Sequence, residues 1–230
     1  MQAIFHSNLF LLTLTVGIFC GGQALYRRTH SMLFHPVLMT FLVMIAFLKI
    51  TGIEYAQYRE ATKILDFILG MSVVALGYLM YEQSNYIKGN LVPIMSAVVT
   101  GCVVGVGSCV GIALLLGADG VIVTSIAPKS VTVPIAITIS EPLGGLVSIT
   151  SVVVFLVGVF GSITGSWILD RCRITLPQAR GLALGSASHG IGTARAVELG
   201  AVEGALSGLA IALMGVVSAL LIPLFERYIY

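Results

Sequence analysis

Lys129, His189 and Arg195 stand in apolar sequence among hydroxyl-bearing residues, a grouping suited to holding a small anion. Lys129 lies in Pro128-Lys-Ser-Val-Thr132, flanked by Ser130 and Thr132. His189 and Arg195 lie in Ser186-Ala-Ser-His-Gly-Ile-Gly-Thr-Ala-Arg195, close to Ser186, Ser188 and Thr193. An ammonium group offers countercharge, and a guanidinium can grip a carboxylate through two parallel hydrogen bonds. Imidazole titrates near neutral pH and suits proton relay. Among nearby carboxylates, Glu141 has the setting for coupling an ion or a proton. Glu198 and Glu203 read as Arg partners or as charges at a helix start. Each residue also has a plainer reading. Lys129 and Arg195 can snorkel or bridge to a carboxylate, His189 can be a satisfied packing residue, and Glu141 can cap a helix.

Such groups need elements that stop inside an apolar environment. Pro128 and Pro134 remove backbone donors and interrupt the stretch 121–140, which runs on to Glu141-Pro-Leu-Gly144-Gly145. Gly190 and Gly192 allow turns and close approach in the stretch 181–203. Both stretches should therefore contain helix ends at membrane depth, where free N–H groups favour an anion. A charge at the bilayer centre costs about 2.5–3.5 kcal/mol even on the lenient insertion scale, so these segments must pair their charges or line water. Paired interruptions of this sort point to the substrate site of a transporter.

Hydrophobic residues make up 57% of the chain and charged residues 10%, and the mean hydropathy is +1.03. These values describe a multi-pass membrane protein. A net charge of +2, with no basic stripe, argues against a nucleic-acid partner. Cys20, Cys102, Cys109 and Cys172 lack metal-ligand spacing and read as small apolar residues. No metal, cofactor or enzymatic activity is expected. Gly185-Ser-Ala-Ser-His189 has no strand–turn–helix context for a nucleophile. The Gly-rich run 101–117 reads as close helix packing. No basic residue precedes the first apolar run, so a signal peptide is not expected, and a bacterial inner membrane is the favoured location.

The fold expected is all-α, with six full spans at about 9–25, 33–53, 64–81, 91–116, 146–169 and 204–225. Two broken or re-entrant hairpins, 121–140 and 181–203, complete it. If 121–140 re-enters, Arg27, Arg28, Lys88, Arg171, Arg173 and Arg180 share the cytoplasmic face, leaving Arg59 and Lys63 outside. A crossing segment would weaken that bias, so the positive-inside rule favours re-entry. Ala127-Pro-Lys-Ser-Val131 also aligns with Ala187-Ser-His-Gly-Ile191, and Glu141-Pro-Leu-Gly-Gly-Leu146 echoes Glu203-Gly-Ala-Leu-Ser-Gly-Leu209. That short repeat suggests two inverted units sharing span 146–169. Residues 1–90 then form a scaffold or oligomerisation region, and 91–230 an inverted-repeat transport unit.

In Pro128-Lys-Ser-Val-Thr-Val-Pro-Ile-Ala136, Glu141-Pro-Leu-Gly-Gly145 and Arg180-Gly-Leu-Ala-Leu-Gly-Ser-Ala-Ser-His-Gly-Ile-Gly-Thr-Ala-Arg195, the chain resembles the LrgB/CidB family of bacterial membrane proteins. The resemblance extends over essentially the whole chain; Val133 stands where the family usually has a second Thr. It implies a small LrgA/CidA-like partner in the membrane. It also implies either of two roles: an antiholin-like regulator of murein hydrolase activity and lysis, or a carrier of small carboxylates such as pyruvate, glycolate or glycerate. The sequence reading prefers the carrier, embedded in lipid as a homo-oligomer.

Overall fold

The computed structural model describes residues 7–29 and 34–226. It is helical, with no strand among the described residues, and divides into two compact units, Met1–Ala75 and Leu76–Tyr230.

In the first unit, α1 (Asn8–Thr29) ends on Arg27 and Arg28, cations suited to the negative end of a helix dipole. Helix α2 (Pro36–Thr51) starts on a proline and closes at Gly52, whose φ of 69° returns its N–H to the Leu48 carbonyl. The short α3 (Tyr55–Ala61) packs with both of them. Leu11, Ile53 and Ala61 form the buried centre, and the Thr15 hydroxyl meets the Tyr58 hydroxyl at 3.2 Å. Leu33, at the start of the expected span 33–53, lies outside the described residues. Helix α4 (Lys63–Glu82) contains the expected span 64–81 and carries the chain into the second unit.

The second unit continues with α5 (Ser84–Gly89), α6 (Leu91–Leu115), α7 (Gly120–Ile126), α8 (Val133–Ser140), α9 (Val147–Arg171), α10 (Pro177–Leu199) and α11 (Ala201–Glu226). Among the described residues, four helices are long and apolar enough to cross a membrane: α1, α6, α9 and α11. They make the chain a multi-pass membrane protein.

Between α7 and α8 the chain turns back on itself. The Thr150 hydroxyl on α9 donates to the Ser125 carbonyl at 2.9 Å and meets the Ser140 hydroxyl at 2.9 Å. A straight helix would separate residues 125 and 140 by about 22 Å, so residues 127–132 must reverse direction. Asp119 starts this excursion by accepting the Ile122 N–H at 2.9 Å, and Thr132 followed by Pro134 restarts the helix.

A second reversal lies inside α10, where His189 has non-helical angles (φ 43°, ψ −136°). Leu184 and Ala196 then share one buried cluster with Leu169, though a straight helix would hold them about 18 Å apart. The break is narrower than the stretch 181–203 suggests, since helix continues from Pro177 to Ser188 and resumes directly after His189. Glycine sets how close the descending limb comes to its neighbour: a Cβ at Gly181 would strike the Glu203 backbone, and one at Gly185 the Ser207 backbone. Polar residues seal the returning limb, where the Thr193 hydroxyl meets that of Ser207 at 2.6 Å.

Candidate functional site

Both reversals reach the middle of a long helix. The Lys129 ammonium lies beside Gly105, fifteenth of the 25 residues of α6. The His189 ring lies against Gly158, twelfth of the 25 residues of α9. Both breaks also fall within the two aligned pentapeptides, 127–131 and 187–191.

Lys129 is half-buried and donates to the Ser130 hydroxyl at 3.1 Å. It forms no ion pair with a carboxylate among the described residues. Its side chain lines a cavity of about 430 Å³, with Ala97, Gly101 and Gly105 of α6 on one wall and Ala179, Ala183 and Ser186 of α10 on the other. Glycine at 101 and 105 leaves open the volume that side chains would fill. The Gly-rich run was expected to serve close packing. Gly101 and Gly105 instead border the cavity, and a Cβ at Gly107 or Gly111 would have no neighbour within 4 Å. From Lys129 the cavity follows α6 back towards Ala97 and α10 back towards Ala179. It thus runs towards the end of the unit that carries Lys88, Arg171, Arg173 and Arg180.

The second broken segment uses its polar groups mainly to hold itself together. His189 is 4% exposed, and its Nε2 is 2.9 Å from the Val154 carbonyl. Neither that ring nor Arg195 is among the residues lining the Lys129 cavity. Thr193 donates to the His189 carbonyl at 3.0 Å. Ser188 is buried directly on Gly161. Arg195 pairs with Glu198 at 2.7 Å, the single-turn contact that their spacing allows, and its Nε donates to Ser166 at 3.3 Å.

The remaining candidates are spread out. Thr132 is partly buried at the start of α8, its side chain making no capping bond. Glu141 is exposed at the C-terminal end of α8, not at a helix start, so the capping role considered for it does not apply. Glu203 does sit in the first turn of α11, with its carboxylate over Gly200. Pro128 is fully buried in the first turn-back, while Pro134 is exposed in the first turn of α8. Gly144 has φ 83°, and Gly145 lies against the Ser140 carbonyl. Gly192 packs on the Leu184 carbonyl, whereas a Cβ at Gly190 would meet nothing.

Sequence reasoning did not single out Ala97, Ala179 or Ala183, nor the Ser125–Ser140–Thr150 hydroxyl cluster. The alanines do carry a signal: small residues recur every four positions at 97, 101 and 105, and again at 179, 183 and 187. The salt bridge of Arg180 to Asp170, at 2.6 Å, was equally unmarked and clamps the loop from α9 to α10.

No solved structure matches the chain. A family model described as the LrgB-like family matches residues 15–228. An uncharacterized protein of Haemophilus influenzae is 35% identical over 217 residues, 94% of each chain. The uncharacterized protein YxaC of Bacillus subtilis is 36% identical over 216 residues, again 94% of each. An antiholin-like protein LrgB of Bacillus mycoides is 32% identical over 209 residues, 90% of this chain and 91% of the relative. With a match over nearly its whole length and relatives above 30% identity, the chain belongs to the LrgB-like family.

Proposed function

We propose that this chain is a secondary carrier of small monocarboxylates, two- or three-carbon 2-oxo or 2-hydroxy acids. The observation that carries the reading is Lys129, a cation without a carboxylate partner among the described residues, at the head of a cavity between mid-length positions of α6 and α10. A charge held at that depth is costly unless something binds it, and a carboxylate would supply the missing partner. Ser130 and Ser186 add hydroxyl donors within the same cavity. Ser188, His189, Thr193 and Arg195 serve as the frame that fixes the second reversal, with Glu141 left as the candidate for coupling.

In this reading six spans cross the inner membrane of a bacterium. The segments around Lys129 and His189 re-enter from opposite faces as inverted repeats, residues 91–230 form the transport unit, and residues 1–90 form the scaffold of a homo-oligomer. A small LrgA-like membrane protein is the expected partner. The test is reconstitution into vesicles, with and without that partner, followed by flux of labelled pyruvate, glycolate and glycerate. Saturable flux of at least one acid is expected. Its absence for all three from a folded preparation rejects the carrier.

The names of antiholin-like relatives support a second reading, a regulator acting through assembly. Assembly needs packing surfaces and no buried cation. A lysis phenotype that survives Lys129→Ala with complex formation intact would favour this second reading.

A further inference from the structure

The cavity beside Ser130 is one of two that meet at Lys129. The other, about 330 Å³, lies between α9 and the descending limb of α10, and Lys129, Ala183 and Ala187 belong to both. Their chemistry differs. The first brings Ser130 and Ser186 to the ammonium group. The second is walled largely by Val157, Phe160, Ile168, Leu169 and Leu184, with Thr164 part-way along. Both hydroxyls in its wall are engaged or packed away: Thr164 donates to the Phe160 carbonyl at 2.8 Å, and Ser188 is buried on Gly161.

We infer that the Lys129 site accepts monocarboxylates with an apolar tail, the carboxylate resting on Lys129 and the alkyl tail lying in the second cavity against Phe160 and Leu184. This deepens the carrier reading and rests on it. The occupant is chosen by charge complementarity at one end and by the apolar wall at the other. A two-carbon acid would leave the second cavity unused, whereas each added methylene would leave water for apolar contact. Burial of one methylene corresponds to about a fourfold gain in affinity.

The experiment is a chain-length series on the purified full chain, reading ligand-dependent thermal stabilisation for pyruvate, 2-oxobutanoate, 2-oxopentanoate and 4-methyl-2-oxopentanoate. The same series is run on Lys129→Gln and Thr164→Phe. Expected is a rise of about fourfold in affinity per methylene, lost with Lys129→Gln and flattened by the bulk of Thr164→Phe. Pyruvate binding that needs Lys129 but does not strengthen along the series in the wild-type protein overturns this inference and leaves the carrier standing. Unchanged ratios in a folded Thr164→Phe protein also overturn it. Binding of no acid in the series overturns the carrier reading itself, and binding unaffected by Lys129→Gln overturns the placement of the carboxylate on Lys129 and with it this inference.

Discussion

At the scale of single residues, the cations that the sequence groups together do different work. Arg195 has a carboxylate and a hydroxyl partner, His189 has a backbone carbonyl, and Lys129 has, among the described residues, the Ser130 hydroxyl. Sequence spacing finds the partner one helical turn away, Glu198 for Arg195, but not the distant ones: Val154 is 35 residues from His189 and Ser166 is 29 from Arg195. Replacing Lys129 by Gln removes the cavity's cation and should weaken pyruvate binding by about tenfold to a hundredfold, the worth of a charge-assisted hydrogen bond. Titration by thermal shift reads that loss directly. Glu198→Gln, by contrast, removes a half-exposed pair and should alter stability by no more than about 1 kcal/mol. A larger loss would mean that Arg195 depends on Glu198 more than its exposure indicates.

At the scale of elements, each reversal is held by a few contacts that can be removed one at a time. Thr150 joins Ser125 to Ser140, and all three are fully buried. Thr150→Val should destabilise the protein by about 1–3 kcal/mol, since it leaves buried polar groups unpaired; unfolding in detergent measures it. Gly185→Leu should prevent folding, because the new side chain meets the Ser207 backbone, while Gly190→Ala should be neutral or slightly stabilising. Equal tolerance of both changes would contradict the packing described for α10 and α11. The breaks themselves were legible, because Pro128, Pro134 and the glycines around His189 act locally. Their extent was less so: Pro177 is suited to a helix start, but nothing local in Gln178-Ala-Arg180 shows that this helix is a limb of the hairpin. The α9 glycines that receive it, Gly158, Gly161 and Gly165, look like any small residues in an apolar helix until His189, Ser188 and Leu184 are seen against them in turn.

At the scale of the molecule, composition alone announces a membrane protein, and four long apolar helices bear that out. The Lys129 cavity runs towards the end marked by Lys88, Arg171, Arg173 and Arg180, which the positive-inside rule assigns to the cytoplasm. A cysteine introduced at Ala179 should therefore react with a membrane-impermeant maleimide in inside-out vesicles and be protected in intact cells. The opposite pattern would reverse the orientation. What sequence does not reveal at this scale is empty space, because a cavity depends on what several helices leave unfilled. Most direct for the central claim is uptake of labelled pyruvate into vesicles holding either the wild-type chain or Lys129→Gln, each shown to be folded. The account predicts saturable uptake by the wild type and uptake no faster than empty vesicles for the variant; equal uptake by the two proteins would contradict it.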